Sequence, residues 1–318
     1  MTPTIPQQNI NAVLDHILPR INHHIQSQNT QDQKAPFILG LTGLQGSGKS
    51  TWTDALVQTL HQQHKYNTIA ISLDDLYLDH DDLITLRNSN PSNNLLRTRG
   101  QPGTHDTRLA IDFLQSIADP TVETLIPSFD KSKFNGEGGR AARDTWKRIL
   151  AGTIIDVVVF EGWCVGFQPL RDEEILSRWN SASNTKSSSV YSVETLRDHA
   201  LEHLLAVNRN LDRYCELFMG PRHFDFLVHL DTDHLVNVYE WRIQQEHALR
   251  RRGNGGMSDD EVVRFVRGYM PAYELYLDQL RGGLFRPGQS QSQSRAEQKG
   301  QLRIVLDKER NIVGANIV

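Results

Sequence analysis

The sequence predicts an α/β fold in which a parallel β-sheet lies between two layers of helices. Short apolar runs typical of buried strands alternate along the chain with stretches of helical periodicity. The clearest pair is residues 37–42, an apolar run, followed after a glycine-rich turn by a helical pattern over residues 51–62. Strands that alternate with helices favour parallel β-α-β units with right-handed crossovers. We therefore expect one three-layer domain over residues 1–318.

The elements of this domain follow in order along the chain. Residues 8–26 place apolar side chains at helical spacing, which predicts an amphipathic N-terminal helix bent or interrupted at Pro19. Further strands are predicted from apolar runs, with the run before residue 127 the weakest of them. These runs are residues 68–73, 121–126, 154–160 and 226–230, and residues 302–306 are expected to form the final strand before a turn over residues 307–311.

Two segments depart from this pattern. Residues 181–192 are rich in Ser, Asn and Thr, so we expect a flexible insertion before a helix over about residues 193–218. Residues 282–300 contain Gln-Ser repeats, and this composition predicts a disordered, low-complexity loop.

Composition narrows the partners and the compartment. The net charge is −4 and there is no basic tail, which argues against nucleic acid as the main partner. Cys164 and Cys215 lie too far apart in sequence for a CxxC metal pair, and two cysteines are too few for a disulfide framework. The absence of such a framework indicates a reducing compartment. There is neither a secretory signal pattern nor an apolar run of membrane-spanning length. We expect a cytoplasmic protein, with the nucleus as the alternative, that is a monomer or homodimer and binds no membrane.

Residues 43–51 fit the G-x-x-x-x-G-K-[ST] phosphate loop, and they lie between a predicted strand and a predicted helix, as such a loop requires. The glycines let the backbone N–H groups approach a phosphate, Lys49 supplies a positive charge, and the Ser50 hydroxyl suits Mg²⁺. The alternative is a glycine-rich turn that binds no nucleotide. We expect ATP and Mg²⁺ to bind here, at Gly43, Leu44, Gln45, Gly46, Ser47, Gly48, Lys49, Ser50 and Thr51.

Carboxylates follow two of the predicted strands. Asp74 and Asp75 come after residues 68–73, and Glu161 follows the apolar run that ends at Phe160. Open α/β folds bind ligands at the carboxyl edge of the sheet, where these side chains are expected to meet. Taken alone, Asp74 or Asp75 would be a helix cap or turn residue. Beside a phosphate loop, we predict a metal or general-base role, with Mg²⁺ near Ser50, Glu161 and Asp74.

Two polar loops are candidates for binding the phosphate acceptor. Residues 97–106 contain Arg99 and His105, and residues 129–140 contain Lys131 and Lys133. Arginine in such a loop can bind an anion through two hydrogen bonds. The alternative for each segment is a solvated surface loop.

A basic helical stretch ends in glycine near residue 253. Residues 258–261 then fit a capping box that starts a second helix. A charged helix is most often a solvated surface, but a helix, a glycine break and a second helix also match a mobile lid. We expect residues 234–281 to form such a lid and the helix after it, with arginines that neutralise phosphate charge on closing.

Together these segments resemble the phosphoribulokinase, uridine kinase and pantothenate kinase group of P-loop kinases, and within it the plant and fungal glycerate 3-kinase-like proteins. The resemblance covers about residues 10–281 and excludes both the insertion and the Gln-Ser tract. It is carried by GLQGSGKST (43–51), SLDDLYL (72–78), RGQPGTHD (99–106), FDKSKFNGEG (129–138), FEGWCVGF (160–167) and VYEWRIQQEH (238–247).

The resemblance implies a P-loop NTPase fold of the nucleoside-monophosphate-kinase type with a helical lid. It implies that Asp74 accepts the proton of the attacking hydroxyl, that Glu161 is at the Mg²⁺ site, and that Arg242 and Lys49 offset charge on the transferred phosphoryl group. The chain departs from the wider group at Asp75, where serine is common. The candidate residues for the acceptor are Asp75, Tyr77, Arg99, His105, Lys131 and Lys133.

The function predicted from these residues is transfer of the γ-phosphoryl group of ATP to a small hydroxy acid or alcohol, with D-glycerate as the expected acceptor. A uridine-like or pantothenate-like alcohol is the alternative within the same reaction class. A non-catalytic ATP-binding regulator is a second alternative, although it would not need a base such as Asp74. A nucleic-acid-dependent ATPase would need a basic surface, which the near-balanced charge does not suggest.

Overall fold

The computed structural model describes residues 4–28, 35–183, 190–251, 253, 256–285 and 299–318. Its strands are β1 (Phe37–Gly43), β2 (Thr68–Ser72), β3 (Thr124–Ile126), β4 (Phe129–Asp130), β5 (Gly139–Arg140), β6 (Lys147–Ile149), β7 (Val157–Gly162), β8 (Phe226–Asp231), β9 (Gly300–Leu306) and β10 (Ile312–Ile317). Its helices are α1 (Gln7–Ser27), α2 (Lys49–Gln62), α3 (His80–Ser89), α4 (Thr107–Ile117), α5 (Asp172–Ser181), α6 (Leu201–Tyr214), α7 (Asn237–Arg251), α8 (Asp259–Arg267) and α9 (Met270–Arg281).

The central sheet has six strands in the order β10-β9-β8-β1-β7-β2. The five strands from β9 to β2 are parallel, and β10 pairs with β9 in the antiparallel direction. Every residue of β7 and β8 is buried, so helices and loops cover both faces of the sheet in its centre. The prediction of an α/β fold with a mostly parallel sheet is confirmed.

The N-terminal helix packs on this sheet beside the phosphate loop's own helix. Helix α1 contacts both β1 and α2, and its buried side chains recur at helical spacing from Ile10 to Ile21. Pro19 lies inside it, and the helix continues to Ser27. The predicted amphipathic helix over residues 8–26 is therefore confirmed, and Pro19 does not interrupt it.

Three expectations about strands and helices need correction. The predicted strand at residues 121–126 begins only at Thr124 and pairs with β6 in a separate two-stranded sheet. The strand at residues 302–306 is not the last one, because the turn after it leads into β10. The predicted helix over residues 193–218 begins only at Leu201, and its end is a π-helical turn, Cys215–Met219.

The two expected irregular segments are described only in part. Residues 184–189 of the predicted insertion and residues 286–298 of the Gln-Ser tract lie outside the described residues. Ser181 ends α5, and Gly300 already belongs to β9. None of the helices in the described part of the chain combines the length and the apolar character needed to span a bilayer.

Candidate active site

The predicted phosphate loop connects the end of β1 to the start of α2. Gly46 and Gly48 have φ of +80° and +95°, a conformation that L-residues with a side chain rarely adopt. The Leu44 carbonyl accepts hydrogen bonds from the backbone N–H of Ser47 and from Lys49 Nζ, each at 3.1 Å. These two hydrogen bonds close the loop into a tight turn and hold the Lys49 ammonium group against the Leu44 carbonyl.

The loop fits a bound phosphate by its donors. The first N–H groups of α2, which begins at Lys49, have no acceptor within the helix, and the helix dipole favours an anion at this end. The hydroxyls of Thr42 and Ser47 are buried and have no hydrogen-bond partner among the described residues. Phosphate oxygens and a hydrated Mg²⁺ would supply the missing partners, so these residues fit the group that the sequence predicts.

Lys49 faces two carboxylates at the carboxyl edge of the sheet. Burial lowers the pKa of its ammonium group, while the negative charges of Glu161 and Asp74 oppose that shift. Ser50 is in the first turn of α2 and is exposed. Of the four residues that the sequence assigns to charge and metal binding, Lys49, Glu161 and Asp74 thus interact electrostatically, and Ser50 is exposed to solvent.

Ser72 connects the two carboxylates. It pairs with Glu161 in the register of β2 and β7, and its hydroxyl donates a 2.6 Å hydrogen bond to Glu161 Oε1. The same hydroxyl accepts the backbone N–H of Asp74 at 3.2 Å, which caps the 3₁₀ turn Leu73–Leu76. Burial raises the pKa of Glu161, and Lys49 and the Ser72 hydrogen bond oppose it. Glu161 lies within β7, because that strand continues to Gly162.

Asp74 is held at both carboxylate oxygens. Its Oδ1 accepts a hydrogen bond from the Tyr77 hydroxyl at 2.9 Å, and its Oδ2 pairs with Lys131 Nζ at 2.5 Å. Burial raises the pKa of Asp74, but the charge of Lys131 and the two hydrogen bonds outweigh burial and hold the pKa below its ordinary value. Asp74 is therefore a fixed carboxylate at neutral pH.

Asp75 points to a different part of the site. Its Oδ1 accepts the backbone N–H of Phe129 at 3.2 Å, which attaches the 3₁₀ turn after β2 to β4. Burial raises the pKa of Asp75. The structure thus separates the two neighbouring aspartates, one toward Lys131 and one toward the backbone.

Tyr77 and His105 form a stacked pair behind Asp74. Their ring centroids lie 4.4 Å apart, and the two residues also form a backbone bridge. The Tyr214 hydroxyl accepts the N–H groups of Gly103 and His105, so its own hydrogen is left for His105 Nδ1 at 3.0 Å. This network assigns the His105 proton to Nε2, which is buried and has no partner among the described residues.

Burial lowers the pKa of His105 to about 3, and the charge of Asp74 opposes this shift only in part. The sequence predicted His105 as one cation of a basic acceptor pocket. That expectation about its charge is corrected, because the buried imidazole is neutral at physiological pH. His105 remains a candidate on the acceptor side as a neutral group that packs against Tyr77.

The other predicted cations hold the second polar loop together. Arg99 Nη1 donates to the carbonyls of Gly136, at 2.7 Å, and Glu137. Lys133 Nζ donates to the Arg140 carbonyl at 2.7 Å. The two polar loops thus meet as predicted, but Lys133 is already committed to the backbone, and Arg99 offers only its remaining donors.

Arg140 is a residue whose role the sequence did not reveal. Its Nη2 pairs with Asp106 Oδ2 at 2.8 Å, and its backbone N–H donates to Asp79 at 2.9 Å. Asp106 caps α4, so this arginine ties the second polar loop to the first. The signal in the sequence that could have drawn attention to Arg140 is its position at the end of the polar stretch at residues 129–140.

A cleft of about 760 Å³ opens between residues 94–101 and α8. Arg97, Arg99 and Arg264 line it together with Phe265 and Tyr269. Burial raises the pKa of Tyr269, and the next largest influence on it is the charge of Asp74. Arg267, Asp198 and Glu261 also line the cleft, so its arginines outnumber its carboxylates, and Tyr269 is the lining residue whose pKa the charge of Asp74 affects.

Arg242 lies on α7 and packs against Phe265, which lines this cleft. Its guanidinium pairs with buried Glu246, donates to Gln245 Oε1 at 2.6 Å, and lies 5.1 Å from the centre of the Phe265 ring. Burial lowers the pKa of Arg242, and Glu246, Tyr269 and Asp74 oppose that shift in this order. The arginine is therefore near the site but held by its own helix.

The helices of the predicted lid are joined across the glycine break. Glu246 accepts the backbone N–H of Met257 at 3.0 Å, and Asp259 pairs with Arg250 at 2.6 Å. The capping box of Ser258 and Glu261 begins α8 as the sequence predicted. Mobility of this helical pair stays a prediction.

Comparisons with known proteins show which family the chain belongs to. No family model matches the sequence. The uncharacterized kinase mug58 of Schizosaccharomyces pombe is 40% identical over 278 residues, which cover 84% of this chain and 90% of that protein. The chloroplastic D-glycerate 3-kinase of Arabidopsis thaliana is 33% identical over 288 residues, which cover 90% of this chain and 56% of that protein.

A solved structure agrees with the sequence comparison. The D-glycerate 3-kinase from Cryptococcus neoformans var. grubii has 31% sequence identity and a TM-score of 0.81, and the match covers 97% of this chain and 99% of that chain. The resemblance inferred from the six motifs is confirmed. The chain belongs to the family of P-loop kinases that includes these D-glycerate 3-kinases.

Proposed function

We propose that this kinase transfers the γ-phosphoryl group of ATP to a hydroxyl group of D-glycerate. The observation that carries the proposal is the ionised Asp74, held between Tyr77 and Lys131 on the same sheet edge as Lys49. A carboxylate that acts as a general base must be ionised and held in place, and Asp74 meets both requirements. The names of two relatives, from a plant and a fungus, support glycerate as the acceptor.

ATP is expected on the phosphate loop, with Lys49 at its phosphates. Ser50, Glu161 and Asp74 offer the oxygen ligands that Mg²⁺ prefers. Bound Mg²⁺ neutralises charge on the β- and γ-phosphates. In the transfer, the acceptor oxygen forms a bond to the γ-phosphorus, the bond from that phosphorus to the β-γ bridging oxygen breaks, and the hydroxyl proton moves to Asp74. ADP leaves with the bridging oxygen.

Lys131 links the base to the acceptor in this proposal. Its ammonium group has three N–H donors, and the pair with Asp74 Oδ2 uses one of them. The remaining donors are available to a carboxylate bound beside Asp74. Arg99 and the arginines of the cleft add positive charge on the same side. A small hydroxy acid suits these groups better than an uncharged alcohol does.

Arg242 is proposed to offset charge on the transferred group. It would have to leave Glu246 to do so, because the two side chains are paired here. Arginine exchange of this kind suits a helical lid whose closing excludes water. The predicted monomer or homodimer is kept as part of the proposal.

The test is a panel of acceptors in an assay of ADP release. D-glycerate should raise the rate well above that of ATP alone, and glycerol, which lacks the carboxylate, should not. Uridine and pantothenate represent the alternative acceptors. If either of them stimulates ADP release and glycerate does not, the glycerate proposal is wrong and the kinase assignment stands.

A further inference from the structure

The turn between β9 and β10, residues 307–311, lies against the phosphate loop and α7. Arg310 projects from this turn and makes three hydrogen bonds to those two elements. Its Nε donates to the Gly46 carbonyl at 2.7 Å, its Nη2 to the Trp241 carbonyl at 3.1 Å, and its Nη1 to Gln244 Oε1 at 2.8 Å. One guanidinium near the end of the chain thus bridges the candidate ATP site and the predicted lid.

The turn is itself rigidly built. Asp307 accepts hydrogen bonds from the backbone and side-chain nitrogens of Asn311, at 2.8 and 3.0 Å. The Trp241 indole N–H donates to the Lys308 carbonyl at 2.7 Å. Arg310 has φ of +66°, which is uncommon for a residue with a side chain and points to a fixed requirement at this position.

The contact at Gly46 controls the orientation of one peptide group in the phosphate loop. Gly46 has φ of +80° and lacks a side chain, so the peptide between Gly46 and Ser47 has little steric barrier to rotation. Arg310 donates a hydrogen bond to the carbonyl group of this peptide, which belongs to Gly46. The N–H group of the same peptide, which belongs to Ser47, donates to the Leu44 carbonyl at 3.1 Å. Both polar groups of the peptide are therefore fixed, one of them from outside the loop.

The same arginine sets the position of α7 relative to the loop. A Cβ at Gly46 would lie 2.7 Å from Trp241 Cβ, so the helix and the loop are in direct contact there. Arg310 bonds to both sides of this contact, and its Cζ lies 5.5 Å from the centre of the Trp241 ring. The start of α7 is thereby fixed against the loop one residue before Arg242.

We propose that Arg310 is a positioning residue for ATP: it fixes the Gly46–Ser47 peptide, and with it the turn that presents the first N–H groups of α2 to the phosphate, and it fixes α7 beside this turn. The proposal rests on ATP binding at the phosphate loop, as proposed above. A loop that only partly populates its binding conformation has a weaker apparent affinity by that fraction. Arg310 acts on affinity through the loop and does not touch the reacting atoms.

The test compares three variants in two measurements. Arg310→Met removes the donors and keeps the apolar stem, Arg310→Lys keeps the charge with a single nitrogen, and Lys308→Met is the matched control in the same turn. Lys308 is half exposed, and among the described residues its side chain pairs with Glu240 of α7. This control therefore removes a contact between the same turn and the same helix without touching the phosphate loop. The measurements are the Kd for ATP by calorimetry and hydrogen exchange of residues 43–48 in nucleotide-free protein.

Arg310→Met should weaken ATP binding by about 10- to 100-fold, the range that corresponds to loss of a hydrogen bond to a charged donor. It should also speed exchange of the loop amides without nucleotide. Arg310→Lys should fall between Arg310→Met and the wild type, and Lys308→Met should match the wild type in both measurements. Thermal unfolding shows whether each variant is folded. If Arg310→Met does not fold, the comparison of Arg310→Lys with the wild type tests the proposal.

Unchanged exchange and unchanged ATP affinity in a folded Arg310 variant would overturn the inference. The two proposals fail separately in this design. If the wild type does not bind ATP, the proposed function is wrong. If the wild type binds ATP and the Arg310 variants bind it equally well, only the role of Arg310 is wrong.

Discussion

The phosphate loop and the proposed acceptor side of the site, which contains Asp74, His105 and Lys131, differ in how far apart their parts lie in the sequence. Within the loop, Ser47 and Lys49 both donate hydrogen bonds to the Leu44 carbonyl, over a span of a few residues. On the acceptor side, Asp74 and Lys131 meet across 57 residues, and His105 and Tyr214 meet across 109. The first region is a local structure with two hydrogen bonds to distant residues, from Arg310 to the Gly46 carbonyl and from the Gln45 N–H to the Tyr273 hydroxyl. The second region exists only in the folded domain.

The two regions also differ in how their charges are used. Lys49 keeps its ammonium at the mouth of the loop, with only a backbone carbonyl as a hydrogen-bond partner among the described residues. The cations of the proposed acceptor side already have partners from other segments of the chain. Arg99 donates to two carbonyls of the second polar loop, and Lys131 pairs with Asp74. We therefore expect substitutions in the loop to remove one function cleanly, and substitutions on the acceptor side to affect neighbours as well.

Lys49→Ala should give the largest effect and the cleanest one. The variant removes the positive charge for the β/γ-phosphates, so ATP turnover should fall by at least about 10²–10³-fold, the usual weight of one such electrostatic contact. Steady-state ADP release measures turnover, and thermal unfolding should remain near that of the wild type. Lys147→Ala, at an exposed lysine of β6, is the control. Normal turnover in folded Lys49→Ala would mean that the loop does not hold the phosphates.

Asp74→Asn should separate chemistry from ATP binding. The substitution keeps the shape of the side chain and removes the base, so kcat should fall by about 10²–10⁴-fold while the Kd for ATP changes little. Asp75→Asn is the matched comparison, because an amide oxygen can still accept the Phe129 N–H. Rapid-quench measurement of the first turnover gives the rate of transfer. If Asp75→Asn alone shows the loss, the base is the other aspartate.

Arg99→Ala should affect the acceptor more than ATP. We expect the KM for D-glycerate to rise by about tenfold or more, in line with one lost charged hydrogen bond, and the KM for ATP to stay close to its original value. Arg99 also holds the Gly136 and Glu137 carbonyls, so limited proteolysis of residues 133–140 reports whether the loop has loosened. Arg108→Ala, at a strongly exposed arginine of α4, serves as the control. An equal rise in both KM values would place Arg99 outside acceptor recognition.

His105 should produce the smallest effect on catalysis and a distinct effect on stability. Burial lowers its pKa to about 3 from 6.5, so between these values the unfolded chain binds a proton that the folded protein does not. Stability from this group is therefore complete above about pH 6.5 and is lost as the pH falls, by up to about 1.4 kcal/mol per pH unit. Urea unfolding of His105→Gln should show a weaker loss between pH 6.5 and 4.

Because His105 is neutral at physiological pH, its protonation should not change the binding of D-glycerate between pH 6 and 8. The KM for D-glycerate of the wild type should show no step near pH 6.5 between pH 6 and 8. A step there that disappears in His105→Gln would show that His105 binds the acceptor as a cation, as the sequence first suggested.

The sequence was most informative where structure is local. The motif at residues 43–51 and the capping box at residues 258–261 are complete within a few residues, and both are found in the predicted form. The buried strands were found from apolar runs, because both faces of a parallel sheet are covered. The edge strand β10 was missed since its residues are mostly exposed and alternate weakly.

The acceptor side was harder to read because its charges depend on partners far along the chain. A histidine in a polar loop suggests a cation, and only the packing of Tyr77 and Tyr214 around His105 shows that it is neutral. Arg310 in a short turn suggests a solvated residue, and only the position of the β9–β10 hairpin brings it to Gly46. No pattern within either segment carries this information.

Transfer of radiolabelled phosphate from [γ-³²P]ATP to D-glycerate, followed by chromatographic separation of the products, measures the proposed reaction most directly. We predict a labelled phosphoglycerate formed in the same amount as ADP, and its near-complete loss in Asp74→Asn under conditions where ATP still binds. Label released only as inorganic phosphate, or a labelled product that Asp74→Asn forms as fast as the wild type, would contradict a glycerate kinase with Asp74 as its base.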